Sequence, residues 1–117
     1  MGKESIIVAK SYDFALRVIH LSRSLRQQRD YELAGQLLRS GTSIGANIEE
    51  ARAGSSRADF VAKMSIASKE ARESHYWLRL LRDSQSLPEA MVNPMIRDSE
   101  ELIRLLTAIV KTTQNRK

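Results

Sequence analysis

The sequence lacks cysteine and contains only two prolines, five glycines and two histidines. Without cysteine there can be no disulfide framework, no thiol nucleophile and no cysteine-ligated zinc or iron–sulfur site. The longest stretch without a charged residue, Ser40–Ile48, spans nine residues, whereas a transmembrane helix needs ~20. The N-terminal apolar run Ile6–Ala9 is too short for the core of a signal peptide. The sequence therefore predicts a cytoplasmic protein that does not enter a membrane.

Apolar residues recur at helical spacing through a chain of 117 residues, the length of one domain. Four helices are predicted, at about residues 5–26, 31–53, 56–83 and 94–113. The clearest apolar stripe belongs to the third helix and consists of Phe60, Met64, Ala67, Ala71, Ser74, Leu78 and Leu81. Short connections and heptad-like spacing predict an all-α protein, an antiparallel up-and-down four-helix bundle that occupies residues 1–117 as a single domain.

Local signals predict where helices begin and end. The carboxylate of Asp30 is suited to cap the second helix, and Gly54 is suited to end it in the left-handed conformation. Inside a helix, Pro94 would remove one hydrogen bond and clash with the preceding turn. We therefore expect the chain to break near Asn93, with a short turn over residues 87–92 and the fourth helix starting at Pro94.

The arrangement of polar residues does not predict catalysis or metal binding. A di-iron bundle needs Glu-x-x-His motifs, but Arg17 lies three residues before His20, and Arg72 lies three residues before His75. The serines are not accompanied by a Gly-x-Ser-x-Gly nucleophile elbow. We therefore predict no enzymatic activity, no cofactor, no metal and no small-molecule substrate.

Small and polar residues mark one strip of the second helix. Gly41 and Gly45 each cost a helix about 1 kcal/mol relative to alanine, so their presence predicts close approach of a neighbouring helix. A phosphate-binding loop, the alternative, would need a Gly-Lys-Ser/Thr sequence after a strand. Asn47 and Glu50 follow along the same helix and predict a structural polar network, across helices or across a subunit boundary, with a functional site as the alternative.

The segment Ser40–Ala51, read together with Lys69–Glu73 and Tyr76–Leu78, resembles one family closely. That family is the bacterial four-helix-bundle proteins first associated with intervening sequences in 23S ribosomal RNA, and the resemblance spans about residues 11–113. It implies a four-helix bundle that assembles as a ring-shaped homopentamer without enzymatic activity or cofactor. A distant relative, the basic accessory protein of diversity-generating retroelements, resembles the family in fold and is thought to bind a reverse transcriptase and nucleic acid.

Charge is the feature that indicates a partner. The formal net charge is +5, and residues 1–29 hold six basic and two acidic residues. Two clusters are candidates for contact with RNA or DNA, in which arginine and lysine bind phosphates and an interleaved aromatic ring stacks on bases. They are Arg17, Arg23, Arg26 and Arg29 on the first helix, and Lys69, Arg72, Tyr76, Arg79 and Arg82 on the third. A solvated helix face with local ion pairs is the alternative for the same residues.

Two functions follow from these patterns. The first is an oligomeric scaffold that binds RNA or associates with ribosomal RNA, and the second is a protein–protein adaptor in which charge serves only solubility. Binding to phosphates weakens steeply with salt, which separates the two. Apolar residues outside the inner stripes, such as Leu16, Ile66 and Ile103, favour a homo-oligomer, and the resemblance implies that it is a pentamer.

Overall fold

The structure is a computed structural model that describes residues 2–116 and contains four α-helices. They are α1 (Lys3–Gln27), α2 (Tyr31–Ala53), α3 (Arg57–Asp83) and α4 (Glu89–Gln114). Each helix packs against the next, and α4 closes on α1, so that α1 lies diagonally across the bundle from α3 and α2 lies diagonally from α4. The bundle measures 50 × 21 × 20 Å. The predicted all-α four-helix bundle is confirmed.

The core is formed by one apolar stripe from each helix. Its largest fully buried side chains are Phe14, Ile7, Leu25, Leu37, Ile44, Ile48, Met64, Leu78, Leu81, Met95, Leu102 and Leu106. Several apolar residues outside the stripes, including Trp77 and Ile103, pack partly buried against this core, whereas Leu16 and Ile66 stay exposed. The helices are amphipathic, and across residues 2–116 none contains an apolar stretch long enough to span a membrane.

Helices α1 and α3 end through left-handed residues that are not glycine. Arg29 follows α1 with a φ of 65°, and Gln85 follows α3 with a φ of 60°. After α1, the Asp30 amide donates to the Leu25 carbonyl at 2.8 Å, the long hydrogen bond of a Schellman motif. The same pattern of bonds closes α3 around Gln85. These tight reversals explain how short connections produce antiparallel neighbours.

The residues flanking α2 behave differently from their sequence-based predictions. Asp30 occupies the N-cap position, but its carboxylate makes no capping hydrogen bond. The prediction that Gly54 adopts the left-handed conformation is wrong, because its φ of −69° and ψ of 156° are extended. A Cβ atom at Gly54 would lie 3.2 Å from the Ala51 carbonyl oxygen and 2.5 Å from a carboxylate oxygen of Asp59, whose exposed side chain would have to turn away.

The predicted start of the fourth helix at Pro94 is also wrong. Helix α4 begins at Glu89, and Pro94 lies inside it. The residues around this first part of the helix are buried, with Leu87 5% exposed and Val92 fully buried. Burial of these side chains offsets the hydrogen bond that Pro94 cannot donate, so the chain stays helical through Asn93 where local propensity favours a break.

Candidate nucleic-acid interface

The structure separates the two basic clusters predicted from the sequence. Because α1 and α3 lie on a diagonal, their outer faces point to opposite sides of the bundle. Arg17 is directed toward α4, where it pairs with Asp98, and it also lies 3.7 Å from Asp13. The remaining members of the α1 cluster are exposed near the end of that helix: Arg23, Arg26 and Arg29. Arg17 therefore links α1 to α4, and the two clusters do not form one continuous surface.

A basic cleft of about 570 Å³ lies between α3 and α4. It is lined by Arg72, His75, Arg79, Glu100, Ile103 and Arg104. Three arginines from two helices thus line the cleft together with one carboxylate, and the partly buried Ile103 adds an apolar side chain to the lining. This arrangement suits an anionic ligand, since guanidinium groups match phosphate oxygens with paired hydrogen bonds.

Two polar contacts cross the cleft from α3 to α4. His75 Nε2 lies 3.2 Å from Glu100 Oε2, within hydrogen-bond distance. The Arg72 guanidinium donates to the Thr107 hydroxyl at 3.4 Å. The Arg72 contact is long and neutral, so the guanidinium keeps donors free for a ligand.

The other predicted residues of α3 lie around the cleft. Tyr76, 48% exposed, does not line the cleft but lies at its rim, because its ring centroid is 5.7 Å from the guanidinium carbon of Arg79, which does line it. Lys69 is exposed on the outer face of the helix. Arg82 pairs with its neighbour Asp83 at 2.8 Å and does not line the cleft. Of the predicted α3 cluster, the structure therefore brings Arg72 and Arg79 into the cleft and Tyr76 to its edge.

Arg104 is a cleft residue that the sequence analysis missed. Helix α4 carries three basic and four acidic side chains, so its total charge does not suggest a basic surface. In the structure Asp98 and Glu101 turn toward α1, where they pair with cations, and this segregation exposes the basic residues on another side. The sequence pattern that could have predicted Arg104 is the heptad spacing of Arg97, Arg104 and Lys111, which places the three side chains on one face of the helix.

A polar network supports the aromatic residues beside the cleft. Trp77 donates its indole N–H to Glu73 at 2.9 Å, and Glu73 also pairs with Arg39 of α2. Partial burial acts to raise the pKa of the Glu73 carboxyl, but the hydrogen bonds from Trp77 and Arg39 outweigh it and lower the pKa below its ordinary value. Glu73 is therefore held as a carboxylate that orients the Trp77 ring.

The two glycines of α2 differ in their surroundings. A Cβ atom on Gly41 would lie 2.7 Å from both γ-carbons of Val18 on α1, which is closer than real side chains approach. A Cβ atom on Gly45 would lie 3.5 Å from the Ser11 hydroxyl, an ordinary contact. The structure thus places the tight approach of α1 and α2 at Gly41.

Within one chain Asn47 and Glu50 do not bond to each other, and only Glu50 bonds to another helix. The Asn47 side chain donates at 2.8 Å to the backbone carbonyl four residues earlier in its own helix. Glu50 accepts from Lys63 of α3 at 2.7 Å at an exposed position. The buried polar link between α2 and α3 is instead the hydrogen bond from Ser74 to Ser40, at 2.9 Å.

Comparison with known proteins agrees with this fold. The profile of a family described as 23S rRNA-intervening sequence protein matches residues 3–108. A solved structure from Bacteroides thetaiotaomicron VPI-5482, described as a protein with unknown function from the S23 ribosomal protein family, is 42% identical to this chain. That match covers 94% of this chain and 99% of the other, with a TM-score of 0.90. No protein with a curated description matches. The chain belongs to the 23S rRNA-intervening sequence protein family.

Proposed function

We propose that this protein is a non-catalytic, oligomeric, cytoplasmic scaffold that binds RNA phosphates in the cleft between α3 and α4. The observation that carries this proposal is that Arg72, Arg79 and Arg104 line one cleft that contains a single carboxylate, Glu100. The net charge of +5 supports an anionic partner. The name of the family, which refers to 23S ribosomal RNA, supports RNA as that partner.

The cleft guanidinium groups are not neutralised by ion pairs within the chain. Lys10, Arg17 and Arg39 lie within salt-bridge distance of carboxylates. Among the described residues, no carboxylate lies within 4.0 Å of the guanidinium groups that line the cleft. Their charge is therefore available to phosphates. A phosphate that binds these groups does not have to displace a carboxylate of the same chain.

We propose further that the scaffold is a homopentamer, as the resemblance implies. Exposed apolar residues on α1 support association: Tyr12 is 66% exposed, Leu16 44% and Ile6 43%. Ile66 of α3 is exposed as well. Exposed large apolar side chains are suited to contacts between copies of the chain, and a ring would multiply a weak phosphate site by avidity.

The test is RNA binding measured by fluorescence anisotropy over a salt series. We expect a labelled single-stranded RNA to bind at ~50 mM salt, and log K to fall linearly with log salt. A triple variant with Arg72, Arg79 and Arg104 each changed to Gln should lose most of this affinity. The loss of three phosphate contacts should reduce the salt slope by about 2.

A matched control removes the same charge from the α1 cluster. It changes to Gln the exposed residues Arg23, Arg26 and Arg29, and it should keep the affinity and most of the salt slope. Glu100→Gln should tighten binding, because it removes the carboxylate from the cleft. If the α1 variant lost RNA binding and the cleft variant kept it, the assignment of the cleft as the binding site would be refuted. A wild-type protein that binds no RNA at ~50 mM salt, where phosphate binding is strong, would refute the function.

A further inference from the structure

Tyr76 is an exposed aromatic side chain at the rim of the cleft. It lies four residues after Arg72 and three before Arg79, so the three side chains share one side of α3. The Arg79 guanidinium carbon lies 5.7 Å from the centroid of the Tyr76 ring, a cation–π distance. The phenol ring therefore lies directly beside the positive charge that we assign to phosphates.

The Tyr76 ring is held by its neighbours. Trp77 packs against it in a T-shaped arrangement, with ring centroids 5.3 Å apart and an interplanar angle of 63°. Trp77 is fixed in turn by its hydrogen bond to Glu73, which pairs with Arg39 of α2. A surface tyrosine supported in this way loses little conformational entropy when a planar ligand stacks on it.

We infer that Tyr76 stacks on an unpaired base of a single-stranded nucleic acid whose phosphates contact the cleft arginines. The inference rests on the proposed nucleic-acid binding and adds the class of ligand. Four helical residues rise about 6 Å, so Tyr76 and Arg72 can engage the base and the phosphate of neighbouring nucleotides together. Base faces inside a duplex are covered by adjacent bases, so a duplex contacts only the arginines.

The test compares single-stranded RNA with duplex RNA of the same length. Tyr76→Ala should weaken binding of the single strand at least about fivefold and leave duplex binding unchanged. Tyr76→Leu, which keeps apolar bulk without a π face, should show the same loss, whereas Tyr76→Phe should retain affinity. Tyr31→Ala, at an exposed tyrosine at the start of α2, is the control and should bind like wild type.

Trp77 supplies a second readout, since it is the single tryptophan of the chain and touches Tyr76. Its emission should be quenched by the single strand and not by the duplex. Equal single-strand affinity of wild type and Tyr76→Ala, with salt-dependent binding intact, would overturn the stacking inference and leave the proposed function standing. A wild-type protein that binds neither strand form would overturn both. Circular dichroism and light scattering verify that the variants keep the helicity and mass of wild type.

Discussion

At the scale of single residues, Gly41 shows how one missing side chain sets the distance between two helices. The branched side chain of Val18 is fully buried against it, and a β-branched residue has little freedom to rotate away. Gly45 lies one turn further along the same helix, yet a Cβ atom would fit there. Close packing of α1 on α2 therefore requires glycine at position 41 and only permits it at position 45.

This difference predicts opposite effects of the same substitution. Gly41→Ala should lower the free energy of unfolding by about 1–3 kcal/mol, because the methyl group collides with Val18. Gly45→Ala should raise it by about 0.5–1 kcal/mol through better helix propensity. Denaturant unfolding followed by circular dichroism measures both. A stabilised Gly41→Ala protein would contradict the packing assigned to this residue.

The Glu73 carboxylate predicts how stability depends on pH. Its pKa is lowered in the folded protein, so the stabilisation that it provides is present above the ordinary carboxyl pKa. That stabilisation is lost as the pH falls through the folded-state pKa. Glu73→Gln should therefore lose less stability on acidification than wild type, as measured by unfolding curves at neutral and acidic pH. Parallel pH profiles for the two proteins would show that the carboxylate does not stabilise the fold.

At the scale of whole helices, α4 carries a proline that its tertiary contacts tolerate. Pro94→Ala restores a backbone N–H inside the helix. Proline is about 3 kcal/mol less favourable than alanine inside a helix, a difference that already includes its stiffening of the unfolded chain. The variant should thus be more stable by up to about 3 kcal/mol in denaturant unfolding. If the free energy of unfolding of Pro94→Ala were equal to or lower than that of wild type, the claim that Pro94 destabilises α4 would be contradicted.

The helices differ in how well the sequence predicts them. Apolar periodicity suffices for α2 and α3, whose stripes run without interruption and whose ends carry polar residues. It fails at the start of α4, because burial of Leu87 and Val92 is a property of the assembled bundle and outweighs the local effect of Pro94. The left-handed residue Arg29 escapes prediction for a related reason: the Schellman hydrogen bonds and packing at the end of α1 offset the strain of a non-glycine residue there.

At the scale of the whole molecule, packing sorts charges that look mixed in the sequence. Between α1 and α4, Lys10 pairs with Glu101 at 3.0 Å and Arg17 pairs with Asp98. Between α3 and α4, arginines remain in excess and form the cleft. The α3 contribution was predictable from helical spacing, whereas Arg104 was hidden by acidic neighbours that face another helix. The sequence of a helix specifies how many charged side chains it carries. The packing of neighbouring helices determines which of them form ion pairs and which remain exposed.

Assembly and RNA binding are tested together by the mass of the particle in solution. Multi-angle light scattering of the wild-type protein should give about 66 kDa, the mass of five 13.2-kDa chains. At ~50 mM salt the mass should rise when single-stranded RNA is added, and high salt should reverse the rise. The cleft variant, with Arg72, Arg79 and Arg104 changed to Gln, should stay pentameric without gaining mass. A 13.2-kDa particle whose mass is unchanged by RNA would contradict the account.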